Sequence, residues 1–253
     1  MSMEDQIILI DKPASISSFG VVAKIRGRLK AEFGHKVKVG HTGTLDPFAT
    51  GLLILLSGKM TKKSNEFLKL DKVYEATLRL GYVSTTGDPE GEITEYDTWA
   101  DGGAGDNKAP EDTLSRSVFG DGPNMERPSP VTTGARERSE KDVSLVLGSF
   151  LDKITQTPPK FSAIKINGQR AYKLAREGKD FKIPSRQVEI YSIEILHYDY
   201  PELKIKVHCS SGTYIRTLAE DIGKKLNTGA YLTALRRLKI GDYDVKNAKQ
   251  LVL

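Results

Sequence analysis

The stretch Val39-Gly40-His41-Thr42-Gly43-Thr44-Leu45-Asp46-Pro47-Phe48-Ala49-Thr50-Gly51-Leu52-Leu53 decides how the rest of the chain is read. Its glycines and its Asp-Pro step break any regular period, so it reads as a loop, and the apolar run at residues 52–56 reads as the strand that follows it. One carboxylate, Asp46, and one imidazole, His41, thus sit on a loop flanking a strand. Asp-Pro by itself most often marks only a turn. No Gly-Lys-Ser/Thr ends the loop, which excludes a phosphate-cradling P-loop. Taken alone, the stretch leaves a plain turn and a chemically active carboxylate both open.

Working outward, residues 7–10 read as a short buried strand, and Ser17 or Ser18 caps a helix whose Val21, Val22, Ile25 and Leu29 recur at helical spacing. Beyond the loop, residues 60–70 read as helix and residues 73–81 alternate like a strand. The turn Gly87-Asp88-Pro89-Glu90-Gly91 then leads to a strand at 93–96. Further on, the pattern predicts a helix at 143–151 and an extended segment at 161–166 before the turn signal Asn167-Gly168, then a helix ending near Gly178. Strands follow at 188–198 and 203–209, and a helix at 214–226 carries Ile215, Leu218, Ile222 and Leu226 on one face. Short hairpin links outnumber helical crossovers. The expectation is an α+β fold with a mixed, largely antiparallel central sheet flanked by helices and loops.

A chain of 253 residues with 38% hydrophobic content can bury a sizeable core; length alone suits one or two domains, and the chain is read as a single domain over residues 1–253. The single cysteine, Cys209, allows no internal disulfide, and the four histidines show no zinc-like spacing, so no metal is expected. No segment has the length and apolarity of a membrane span or signal peptide, and a cytoplasmic location is the expectation. The net charge of +5 is unevenly spread. Residues 97–142 hold ten acidic and six basic side chains, a balance of −4 that leaves +9 on the remainder. That segment is also rich in glycine and proline and poor in apolar residues, so it is read as an exposed, irregular insertion. The positive charge gathers at residues 24–38, 59–79 and 160–186, the last with eight basic residues. Each stretch alone reads as a solvated face; three together point to a polyanion partner.

The 39–53 stretch resembles the catalytic motif of the TruB family of tRNA pseudouridine synthases. Four further blocks resemble the family in order: Asp71-Lys72-Val73-Tyr74; residues 156–165 with their continuation at 168–172; residues 209–218; and Leu235-Arg236-Arg237. The resemblance implies isomerisation, without a cofactor, of a uridine in the T-loop of tRNA, at position 55. It assigns Asp46 as nucleophile or covalent catalyst, Arg216 as the cation that keeps it ionised, and Tyr214 as its neighbour in the site. In an extended segment Tyr214 and Arg216 would point to the same side. Because a stacked uridine cannot reach a carboxylate, the base must flip out. The resemblance makes Tyr74 a catalytic residue, lying over the flipped base with its hydroxyl in proton transfer, and places Leu235 against the base and His41 in the space it vacates. Lys62 and the basic segment at 160–187 would contact and clamp the RNA.

Two departures stand beside these implications. The small C-terminal RNA-binding domain of many family members is expected to be missing, and the acidic insertion is longer than the family's usual connection. The protein is expected to act as a monomer. The rival readings are a non-catalytic RNA-binding module, a guide-RNA-dependent synthase, and a glycosidic-bond hydrolase. The last would need a second carboxylate near Asp46, and the motif itself supplies none.

Overall fold

In the computed structural model, which describes residues 3–96, 138–162, 164–166 and 168–251, the 39–53 loop leads into the most deeply buried strand of the molecule. The first half contains β1 (Ile7–Lys12), α1 (Ser18–Phe33), β2 (Val39–His41), β3 (Thr50–Ser57), α2 (Ser64–Leu68), β4 (Lys72–Leu80), β5 (Tyr82–Ser84) and β6 (Ile93–Glu95). The second contains α3 (Glu140–Gly148), β7 (Asp152–Gln156), β8 (Lys165–Ile166), β9 (Gln169–Arg170), α4 (Ala171–Arg176), β10 (Arg186–Asp199) and β11 (Glu202–Cys209). It closes with α5 (Ile215–Leu226), β12 (Ala230–Ile240), β13 (Tyr243–Asp244) and β14 (Lys249–Gln250). The central sheet runs β14-β1-β3-β12-β4-β11-β10-β7, with β2 on β3 and β13 on β12. Among the described residues, only β1/β14 and β12/β3 pair in parallel. The fold is α+β with a mixed, mainly antiparallel sheet.

The unbroken apolar run of β3 is explained by cover on both faces. Leu53 and Leu55 pack under α1 with Val21, Val22, Ile25 and Leu29, while Leu52, Ile54 and Leu56 face Met60, Phe67 and Ile240. A third cluster joins β4, β10, β11 and β12 to α3 and α5 through Leu78, Leu203, Ile205, Leu218, Ile222 and Leu232. Gly51, at φ 101°, lies where β12 presses on β3: a Cβ there would meet Arg237 O at 2.3 Å. The two strands can meet at this point only because residue 51 has no side chain.

Several boundaries differ from the sequence reading. β12, near the middle of the sheet, lies in no predicted element, and neither does β7. Residues 60–70 form a 3₁₀ turn (Gly58–Lys63) before the short α2. Among the described residues of 161–166, only Lys165 and Ile166 are strand. The helix predicted at 143–151 begins at Glu140, because Ser139 and Asp142 form a reciprocal capping box. The predicted insertion at 97–142 falls outside the described residues as far as residue 137; its last residues are the cap and first turn of α3. Asn167 of the predicted turn is also outside them. Among the described residues no helix is long and apolar enough to cross a membrane.

Candidate active site

An irregular loop exposes carbonyls that no ladder satisfies, and this one is held by donors from distant elements. Ser17, not Ser18, caps α1. Ser18 instead accepts from Leu45 N at 2.8 Å and donates to Leu45 O at 2.9 Å. The fully buried Lys12 at the end of β1 donates to Pro13 O, Ile16 O and Pro47 O at 2.8, 2.8 and 3.1 Å. Arg237 of β12, only 1% exposed, donates from Nε to Leu52 O at 2.8 Å, from Nη2 to Gly43 O at 3.2 Å and from Nη1 to Thr44 O at 3.4 Å. Burial lowers Lys12 to about 8, with the Asp46 carboxylate pulling the other way. None of these three residues was singled out in the sequence for this work, since each acts through backbone atoms.

Asp46 is presented at the tip of this braced loop. Arg216 Nε lies 3.1 Å from Asp46 Oδ2. The guanidinium spends its other donors on Asp88 Oδ2 at 3.3 Å, Thr86 O at 3.0 Å and Phe161 O at 2.9 Å. Arg216 is 5% exposed, so this planar fork is desolvated and fixed on three sides. Burial raises the Asp46 pKa above the ordinary carboxylate value; Arg216, then Lys12 and Arg237, oppose the rise, and Asp88 adds to it.

The motif holds no carboxylate besides Asp46, as the sequence shows, but the fold brings a second one, Asp88, to the same arginine. It is buried, and its Oδ1 accepts from Thr86 Oγ1 at 2.6 Å and Glu90 N at 3.0 Å. Asp88 therefore shares the Arg216 cation and faces inward, while the exposed Glu90 of the same turn feels both Asp46 and Asp88. The sequence argument considered only neighbours along the chain.

The other predicted residues divide into two groups. Tyr74 on β4 and Leu235 on β12 are both 8% exposed and share an apolar cluster with Leu45. Tyr74 lies opposite Arg237 in the β4–β12 register, and burial raises its pKa, so it is a neutral phenol near pH 7. His41, at the end of β2, accepts from Gly43 N at 3.4 Å, and burial with the charges of Arg237 and Arg170 lowers its pKa. Tyr214 is the extended N-cap of α5 and Arg216 lies inside the helix, so they are not alternate residues of one extended segment. Lys62 is exposed and follows the far end of β3. It stands in the 3₁₀ turn beyond the opposite end of that strand from the Asp46 loop.

Of the 160–187 segment, Lys160, Lys165, Arg170, Lys173, Arg176, Lys179 and Lys182 are all exposed. Its charges reach the site: Arg170 acts on His41 and Arg176 on Glu90. A cleft of about 280 Å³ beside the Asp46 loop is lined by Phe48, Thr50, Glu75, Lys204, Leu235 and Arg236, among others. A larger cavity of about 720 Å³, between β1, α1 and β14, holds none of the predicted residues.

Comparison with known proteins adds to this geometry. Residues 29–107 and 124–215 match the family model described as TruB family pseudouridylate synthase (N terminal domain). Residues 216–252 match that of the tRNA pseudouridylate synthase B C-terminal domain. The junction between the two falls inside α5, and the second region supplies β12, so the division does not follow a structural boundary. The chain is 40% identical over 240 residues to tRNA pseudouridine synthase B of Phocaeicola vulgatus, covering 94% of this chain and 87% of that one. It is 40% identical over 253 residues to the protein of that name from Flavobacterium johnsoniae, covering 99% and 95%. Among solved structures it resembles a chain in a Cbf5-Nop10-Gar1 complex with a TM-score of 0.63 and 23% identity. That likeness covers 98% of this chain but 53% of the solved one, about half its length, and speaks to fold.

Proposed function

We propose, from the premise that the chain belongs to the TruB family of pseudouridylate synthases, that Asp46 is the catalytic carboxylate of its uridine-to-pseudouridine isomerisation in tRNA. The observation that carries the proposal is the Arg216 Nε to Asp46 Oδ2 contact of 3.1 Å, on a loop braced by Lys12, Ser18 and Arg237. In the reaction the N1–C1′ bond of uridine breaks, a C5–C1′ bond forms, the C5 proton leaves and N1 is protonated. Nothing is oxidised or reduced overall. The step requires a group that attacks the sugar or base, or that stabilises the detached pieces, and an ionised carboxylate does this. Burial pushes Asp46 toward protonation; the Arg216 fork opposes that while a third of the Asp46 side chain stays exposed.

The target is a uridine flipped from the T-loop, at position 55. Tyr74 and Leu235 form the apolar walls against which the extruded base packs, and the neutral Tyr74 hydroxyl relays a proton. His41 fills the space left behind. The exposed cations of the 160–187 segment close on the backbone of the loop, and Lys62 contacts phosphate outside the catalytic centre. The protein acts as a monomer in the cytoplasm. Incubation with an unmodified tRNA transcript, followed by chemical labelling and mapping of pseudouridine, tests the target: one modified uridine in the T-loop is expected. Modification confined to another arm would overturn that assignment.

A further inference from the structure

The two strands that bracket the basic segment end on a matched pair. Gln156 closes β7, Arg186 opens β10, and the two are directly opposed across that ladder. Both reach the same target, the segment leading to Arg216. Gln156, only 1% exposed, makes a reciprocal pair with the Tyr214 backbone: Tyr214 N donates to Gln156 Oε1 at 3.0 Å, and Gln156 Nε2 donates to Tyr214 O at 3.3 Å. Tyr214 is the N-cap of α5 and has no side-chain cap of its own; Gln156 Oε1 satisfies one of the backbone donors at the helix start, Tyr214 N. Arg186 donates from Nη2 to Gly212 O, and its guanidinium lies 4.7 Å from the centre of the Tyr214 ring. Thr217 Oγ1 adds a 3.4 Å bond to Thr157 O.

We infer that Gln156 and Arg186 are positioning residues for the isomerisation, fixing residues 212–216 so that Arg216 meets Asp46 in the productive geometry and tying that geometry to both ends of the basic segment. This inference rests on the catalytic reading of Asp46 and Arg216 above. Gln156 offers a donor and an acceptor in one plane, as a ladder neighbour would, and a displacement at Tyr214 carries directly to a guanidinium two residues on. The same guanidinium is bonded to Phe161 O inside the basic segment, so the segment is joined to the arginine at its base and from within.

The test is single-turnover pseudouridine formation on unmodified tRNA by the full chain, across pH, with tRNA affinity and melting temperature measured alongside. Gln156→Met keeps the shape and removes both bonds. It is expected to lower the rate tenfold or more, leave affinity within threefold, and move the acid limb of the rate profile to higher pH. In an Arg216→Lys background the same substitution is expected to cost less than threefold, because the planar fork it positions is already gone. Arg186→Lys keeps the charge but loses the fork and is expected to show the same non-additivity; it carries the comparison if Gln156→Met does not fold. Additive losses, or single variants within twofold of wild type, would overturn the inference. An inactive wild type would instead sink the functional reading itself.

Discussion

At the residue scale the site balances burial against a shared cation. Asp46 is pushed toward protonation by its surroundings more strongly than Arg216 holds it ionised, so the ionised form that chemistry needs costs the folded state stability. The sign follows. A carboxylate whose folded pKa lies above its unfolded value stabilises the fold at low pH, and that contribution is lost as pH rises through the folded pKa. Asp46→Asn, which removes the charge, is therefore expected to raise the melting temperature at neutral pH, with the gain shrinking as the buffer is acidified. Thermal melts of both proteins between about pH 4 and 8 check this; an Asn variant less stable at pH 7 would contradict it. Arg216→Lys keeps the charge but loses the planar fork that fixes it on Asp46, so turnover should fall tenfold or more with tRNA affinity held, and the acid limb should move upward in pH. An unshifted limb in a rate–pH profile would refute the pairing. Asp46 was reached in the sequence through the family resemblance of one contiguous motif, since the motif by itself left a plain turn open. Lys12, Ser18 and Arg237 were not, because they serve backbone carbonyls, and Asp88 was not, because it meets Arg216 only through the fold.

At the element scale β12 is the decisive strand. It runs antiparallel to β4 along most of its length and touches β3 in parallel only at Arg236 and Arg237, beside Gly51. Through that contact it delivers Leu235 to the site and Arg237 to the back of the loop. Its sequence, Ala230 to Ile240, lacks clean alternation because two irregularities in its pairing with β4 shift which residues face the core. Periodicity therefore passed over it, whereas β4 and β11 alternate regularly and were legible. Arg237→Gln would strip donors from the carbonyls of Leu52, Gly43 and Thr44. The expected cost is roughly 3 kcal/mol of stability, with activity lost in proportion to loop disorder. Denaturant unfolding measures it; a loss below about 1 kcal/mol would show that the loop stands without this brace.

On the scale of the whole molecule, the charge distribution read from sequence persists with one amendment. Seven of the eight basic side chains of the 160–186 stretch are exposed, but Lys72 of the 59–79 stretch is buried, donates to Leu68 O and Leu70 O, and is lowered to about 8 by its burial. It serves the fold and offers no surface charge to RNA. Affinity for tRNA should still fall about tenfold or more between roughly 50 and 200 mM salt, read by filter binding; a flat response would remove the electrostatic account. The most direct measurement of the central claim compares wild type with Asp46→Asn on an unmodified tRNA transcript, after mass spectrometry has excluded deamidation back to aspartate. Wild type is predicted to form pseudouridine and the Asn protein none, with tRNA binding within a few fold; pseudouridine formed by Asp46→Asn would contradict the account.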